Sequence, residues 1–258
     1  MENTKALEER FPGVVFRGEI EIGENVSIAG ECVLSGNVKI SDGVTIERGN
    51  VLIDVTIGEN CYFYANSRAE RSSFGSRGAV YPNNFVRDSS FGEECVLYPN
   101  NFADKLTMGK GSSLSFSHAE NAVVGEGVSV GPYARLRPEA KIGKNAKIGN
   151  FVEIKNSVVG EGSKVSHLAY VGDCDMGREC NIGCGAIFVN YDGKNKHRSV
   201  VGDDCFIGSN CNVIAPVNLA EGSYVCAGTT VTEDTEQGDF VIGRSRQENK
   251  KGKGRRYR

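Results

Sequence analysis

The chain has 258 residues, 39% hydrophobic, with no Trp and 33 Gly, a profile of a thin, Gly-punctuated repeat rather than a globule with a thick core. No apolar run approaches the roughly 20 residues that a membrane span needs, and Met1–Arg10 lacks the apolar block of a signal peptide, so a cytoplasmic protein with no membrane partner is expected. The net charge of −3 is uneven: residues 244–258 carry eight Lys/Arg against one Glu, a net +7, which leaves −10 on the remainder. Such a tail is either a solvated end or a clamp for a phosphate-bearing ligand. No nucleic-acid reading motif accompanies it, so no nucleic-acid partner is expected.

Residues 1–17 show no period and read as a helical turn or lead-in that caps the repeats, ended by Pro12-Gly13. An aliphatic residue then recurs every six positions, at Ile22, Ile28, Leu34, Ile40, Ile46 and Leu52, and continues through Ile57 and Phe63 after a one-residue deletion. A period of six fits neither an α-helix nor a long strand; it is the signature of hexapeptide β-helix repeats. Three hexads close a triangular coil, and stacked coils lie about 4.8 Å apart, as neighbouring strands do. The expected fold is therefore all-β: a parallel β-helix, left-handed by its resemblance to hexapeptide-repeat proteins, with a short non-repeat N-terminus and a basic tail.

Within the first stretch of coils, residues 18–123, FGSRGAVYPNNF (74–85) and FGEECVLYPNNF (91–102) are near-duplicates seventeen residues apart. One coil of offset stacks Tyr81 on Tyr98 and Asn83 on Asn100. The pattern loosens between 103 and 123, where His118 reads as a turn or surface residue. From Val124 the period is nearly perfect to Ile182, breaks over residues 188–200, and resumes from Val201 to Val231. Residues 124–243 thus form a second stretch with one protruding loop, and the whole prism is expected to have eleven or twelve coils. Six of the nine cysteines, Cys32, Cys61, Cys95, Cys180, Cys205 and Cys211, fall four places after a repeat aliphatic. That slot takes small side chains, so these thiols read as reduced core filler; no C-x-x-C pair exists, and no metal is expected.

Polar residues that break the repeat are the informative ones: Arg135 and Arg137 around Leu136, Lys155, His167, Tyr170, Asn181 and the basic loop 190–198. The segments GPYARLRP (131–138), GNFVEIKN (149–156), SKVSHLAYVGD (163–173), NIGCGAIFVNYDGKNKH (181–197), IGSNCNVIAPV (207–217), AGTTVTED (227–234) and VIGRSRQ (241–247) together resemble the acetyltransferase half of the bifunctional uridylyltransferase/glucosamine-1-phosphate acetyltransferase family of UDP-N-acetylglucosamine synthesis. The resemblance implies a homotrimer that transfers acetyl from acetyl-coenzyme A to glucosamine 1-phosphate, with no metal in the acetyl transfer. It makes His167 the general base, a task that suits an imidazole pKa, with Glu153 orienting it. Arg137, Lys155, Tyr170, Asn181 and Lys196 hold the sugar phosphate. Cys184, through its backbone N–H, with Asn190, Tyr191, Ser209, Ala227 and Arg244, contacts acetyl-coenzyme A.

His197, which first catches the eye, reads as a bystander to His167. The family's nucleotidyltransferase motifs are not found ahead of the repeats, so the uridylyl step is expected to fall to a separate uridylyltransferase. Residues 19–123 extend beyond the family's lead-in by several coils, and the tail carries Lys253 where an aromatic is expected. Three alternatives stay open: an N-acyltransferase acting on another amino sugar or a nucleotide sugar, a non-catalytic trimeric scaffold for a separate uridylyltransferase, and a hexapeptide carbonic anhydrase. The last needs three His ligands for zinc; only His118, His167 and His197 exist, and two lie in the acetyltransferase motifs.

Overall fold

In the computed structural model, residues 4–254 are described; the first three residues of the lead-in and the last four of the basic tail lie outside the described residues. A seven-residue helix, Thr4–Arg10, precedes a continuous parallel β-helix. Leu7 and Phe11 of the lead-in are buried and join the hydrophobic core, so this segment closes the open end of the first coil.

Each coil contributes one two- to four-residue strand to a thirteen-stranded face, running from Ser27–Ile28 to Phe240–Val241. The prism therefore has thirteen coils rather than eleven or twelve. The additional coil lies beyond Val231, where residues 232–239 separate it from the six-residue rhythm before Phe240–Val241 pairs with Tyr224–Val225. The other two faces merge into a nineteen-stranded sheet. Successive coils pair in parallel and in register, for example Leu136 with Ile154 and Ile154 with Val171. These aliphatic side chains fill the prism, and each fully buried one stabilises the fold by roughly 1.5–3 kcal/mol. The stretch 103–123 is as regular as the rest: Ala103, Leu106, Met108, Leu114, Ala119 and Ala122 all point inward. Ala and Met in place of Ile and Val obscured the period.

The near-duplicate corners stack as expected. Tyr64, Tyr81 and Tyr98 form a ring column with centroids 4.5 and 5.4 Å apart, and Asn83 Nδ2 donates to Asn100 Oδ1 at 3.4 Å. Inside the same corner runs a buried polar ladder. Asn50 Oδ1 accepts the Ser67 N–H, Ser67 Oγ that of Asn84, Asn84 Oδ1 that of Asn101, and Asn101 Oδ1 that of Ser117. Backbone donors that the corner pulls out of the sheet ladder are satisfied in this way. His118 is not simply a surface residue: its ring stacks on Phe102 at 4.5 Å, and Nε2 lies 3.2 Å from Glu120. All nine cysteines are free thiols, eight of them buried, with Cys184 half-buried.

One corner departs from the usual chemistry. Asn66, Asn83 and Asn100 occupy it with positive φ, as do Gly185 and Asn210 further down. Between them the same corner holds Phe116, Tyr133, Phe151 and Leu168, at φ of 44°, 59°, 57° and 47°. Bulky side chains rarely adopt this left-handed region. All four are exposed on the isolated prism.

Candidate active site

His167 lies beside this corner and heads a vertical line of residues. Each corner carbonyl accepts an N–H from the next coil: Asn150 O from Leu168, His167 O from Gly185 at 3.4 Å, Cys184 O from Asn210 at 2.8 Å, and Ser209 O from Gly228 at 2.8 Å. The guanidinium of Arg244 donates to Ala227 O. Asn150, His167, Cys184, Ser209, Ala227 and Arg244 therefore form one column, a coil apart at each step. Four separate sequence motifs are brought into line beneath the histidine. The Cys184 N–H donates to no group among the described residues, which leaves it free for an incoming oxygen.

His167 Nδ1 sits 2.6 Å from Asn150 Oδ1. An amide oxygen only accepts, so with this oxygen facing the ring Nδ1 carries the proton and Nε2 keeps its lone pair. That tautomer suits a general base. Glu153, expected to orient the histidine, instead accepts from Arg137 Nη1 at 2.8 Å; both side chains are about one-third exposed, so the pair contributes little to stability.

The adjoining face carries the cations. Arg135, Glu153 and Tyr170 are in register on three successive coils, and Lys155 follows Glu153 on the same strand. Lys155 Nζ lies 2.9 Å from both oxygens of Asp173. Asn156 Nδ2 donates to Oδ1 at 2.5 Å, and Asn190 Nδ2 to Oδ2. Burial pushes the Asp173 carboxyl up, but the bonds from Lys155, Asn156 and Asn190 outweigh it and hold the group below the usual carboxylate value. Asn190 Nδ2 also lies 3.5 Å from Tyr170 Oη, so Lys155 and Asn190 meet on one anion and Tyr170 adjoins Asn190. Asn181 stands apart, on the thirteen-stranded face in register with Lys164 and Phe206.

The loop proper spans 190–198. Phe188 is a buried strand residue and Ser199 opens the next strand. The loop braces itself: Tyr191 bridges Lys196, Tyr191 Oη donates to Gly193 O at 2.7 Å, and Asp192 accepts from the N–H groups of Lys194 and Asn195. His197 Nε2 lies 2.7 Å from Asp192 Oδ2, so this histidine is engaged in holding the loop. The backbone bonds from Asn195 and Lys194, with the His197 contact, hold the Asp192 carboxyl well below the usual range. Arg198 anchors the loop's far end through Asp175 at 2.6 Å and the Asn156 carbonyl at 2.8 Å. Lys196 is exposed, without an ion-pair partner among the described residues. Asn150 and Asp173 were not singled out from sequence, although each lies within a quoted motif and one coil from an expected site residue.

A family profile for the GMPPB C-terminal domain matches residues 118–191, and one for the hexapeptide repeat of succinyl-transferase matches residues 199–233. Bifunctional protein GlmU of Caldanaerobacter subterraneus subsp. tengcongensis is 49% identical over 146 residues, 57% of this chain and 32% of that one. Bifunctional protein GlmU of Clostridium beijerinckii is 44% identical over 234 residues, 91% of this chain and 40% of that one. Over most of its length the chain is similar to GlmU proteins. It spans about a third to two-fifths of the length of these GlmU relatives. Among solved structures, an Arabidopsis UDP-N-acetylglucosamine acyltransferase aligns at 17% identity and a TM-score of 0.35, over 88% of this chain and 68% of that one. No helix among the described residues is long and apolar enough to cross a membrane.

Proposed function

We propose that the chain is a glucosamine-1-phosphate N-acetyltransferase that uses acetyl-coenzyme A. The observation that carries this reading is the column descending from His167 through Cys184, Ser209 and Ala227 to Arg244. An extended thioester arm lying along it brings its acyl carbon to the histidine and its carbonyl oxygen to the Cys184 N–H. His167 Nε2 takes a proton from the acceptor ammonium, the freed amine attacks the thioester carbonyl, and the oxyanion that forms is stabilised by the backbone donor. Collapse expels the coenzyme A thiolate, which takes up the second proton that the attacking nitrogen loses, and leaves a neutral amide on the sugar. No nucleophilic Ser or Cys is needed, so transfer is direct. Arg137, Lys155, Tyr170 and Lys196 supply the donors that a sugar phosphate calls for, while Asn181 is a weaker member of the set because it lies on another face.

The active form in this reading is a homotrimer. Phe116, Tyr133, Phe151 and Leu168 are held in a costly backbone conformation and left exposed beside His167, and one prism alone offers only a shallow face. Packing a second copy against this column buries the side chains and turns the face into a cleft. GlmU relatives are bifunctional by name; the uridylyl step is assigned to a domain or partner other than this prism. The decisive variant is His167→Ala. A loss of roughly 10²–10⁴ in kcat with an unchanged thermal melt is expected, and near-wild-type turnover would remove His167 as the base.

A further inference from the structure

Among the described residues, Asp173 is the one buried charged side chain, and the expected site does not account for it. It occupies a corner position in left-handed conformation, φ 52°. Corner side chains elsewhere face solvent: Arg71 and Asp88, paired across neighbouring coils, are 48% and 34% exposed. The Asp173 side chain is 6% exposed, because the loop 190–198 lies over it. One donor reaches it from the loop, Asn190 Nδ2, and the Ser199 N–H at the loop's other end bonds the Asp173 carbonyl at 3.0 Å. The remaining donors come from the preceding coil, Lys155 at 2.9 Å and Asn156 at 2.5 Å.

We propose that Asp173 is a positioning residue that couples the acceptor side of the site to the donor side. The inference rests on the acyl-transfer reading above, in which Lys155 serves the acceptor phosphate and Asn190 the coenzyme. These two residues come from segments 35 positions apart and share one carboxylate. Two of the three Lys155 N–H groups are engaged by Asp173, which aims the ammonium and leaves one donor for a ligand. The pair is neutral as a unit, so Lys155 contributes direction rather than net charge. The charge that meets an anion falls to Arg135 and Lys196, neither of which has an ion-pair partner among the described residues. A ligand that settles Lys155 settles Asp173, and through it the foot of the loop at Asn190. By linkage the effect runs equally in reverse.

The test is Asp173→Asn in the full chain, an isosteric change that discharges the junction. Loss of charge-assisted bonds is expected to raise both the acceptor KM and the acetyl-coenzyme A KM by about tenfold or more. kcat should stay within about threefold, because His167 is held by Asn150 and not by Asp173. A merely structural role predicts the opposite split, with kcat reduced in proportion to the folded fraction and both KM values unchanged; that result overturns the proposal. If Asp173→Asn fails to fold, Asn190→Ala removes the loop-side donor to Asp173, and Tyr170→Phe, which removes the hydroxyl that Asn190 also meets, serves as its control. Asn190→Ala is expected to raise the acceptor KM through Lys155, and an unchanged acceptor KM overturns the coupling.

Calorimetry separates this inference from the reading it rests on. Coenzyme A binding is measured with and without inorganic phosphate as the acceptor-side probe. Wild type should show a phosphate-dependent Kd and Asp173→Asn should lose that dependence; its absence from wild type, or its persistence in the variant, overturns the coupling. A wild type that shows the dependence but acetylates no amino sugar phosphate overturns the functional reading and leaves the coupling standing.

Discussion

Replacing Phe151 with Asn changes two energies of opposite sign. The native residue sits at φ 57° and is 55% exposed on the isolated prism. Asn tolerates this backbone region, and more distant coils use it at the same corner, at Asn66, Asn83, Asn100 and Asn210. Relief of strain returns roughly 1 kcal/mol to the monomer, while loss of the ring stacked on Tyr133 at 5.4 Å removes about 0.5–1.5 kcal/mol. The folded monomer should therefore melt close to wild type. Association behaves differently. An aromatic side chain offers about 200 Å², so the exposed half withholds about 110 Å², worth roughly 2.5–3 kcal/mol per protomer if it is fully covered. Over three copies the ceiling is about 8 kcal/mol, several orders of magnitude in the association constant. Sedimentation velocity across a dilution series, with circular dichroism melts alongside, reads both terms. A Phe151→Asn protein that remains as trimeric as wild type at every concentration would refute the interface; a destabilised monomer would refute the strain argument.

The remaining predictions concern the site. Asp192 is depressed below its unfolded value, so its contribution to loop order is fully present above about pH 4, the ordinary aspartate pKa, and is lost only as pH falls through the lower folded value. The Asp192 carboxyl carbon shift should therefore still report the ionised form at pH 4; half-protonation there would break the bracing scheme. Cys184 is the half-buried thiol, whereas burial pushes Cys174 up to about 12. Alkylation at pH 8 should label Cys184 first, and coenzyme A should slow that labelling. Equal labelling with and without coenzyme A would count against the column as the coenzyme's track.

The prism was legible because its period is enforced by packing: every sixth side chain must fill a triangular interior, and Ile, Leu and Val declare it. Legibility faded where the packing chemistry changed. Ala103, Ala119 and Ala122 fill the interior without an aliphatic signature, and the thirteenth coil hides behind residues 232–239. At the site, a motif names residue types but not their partners. Arg137 with Glu153, and Lys155 with Asp173, are pairs separated by about one coil. Coil length was readable from the Tyr81 and Tyr98 duplicates: one coil back from His167 is Asn150, and one coil on from Lys155 falls within a residue of Asp173. What could not be read was the partner of each polar group: Glu153 was expected at the histidine, and only geometry gives it to Arg137.

The most direct test of the account is an acetyl-transfer assay on the purified chain with acetyl-coenzyme A, following thiol release and the acetylated product. Glucosamine 1-phosphate is compared with nucleotide-linked amino sugars. The account predicts release of coenzyme A with equimolar N-acetylglucosamine 1-phosphate, and weaker turnover of the nucleotide-linked acceptors. Turnover confined to a nucleotide-linked amino sugar would contradict the assigned acceptor, and no release with any amino sugar would contradict the enzyme itself.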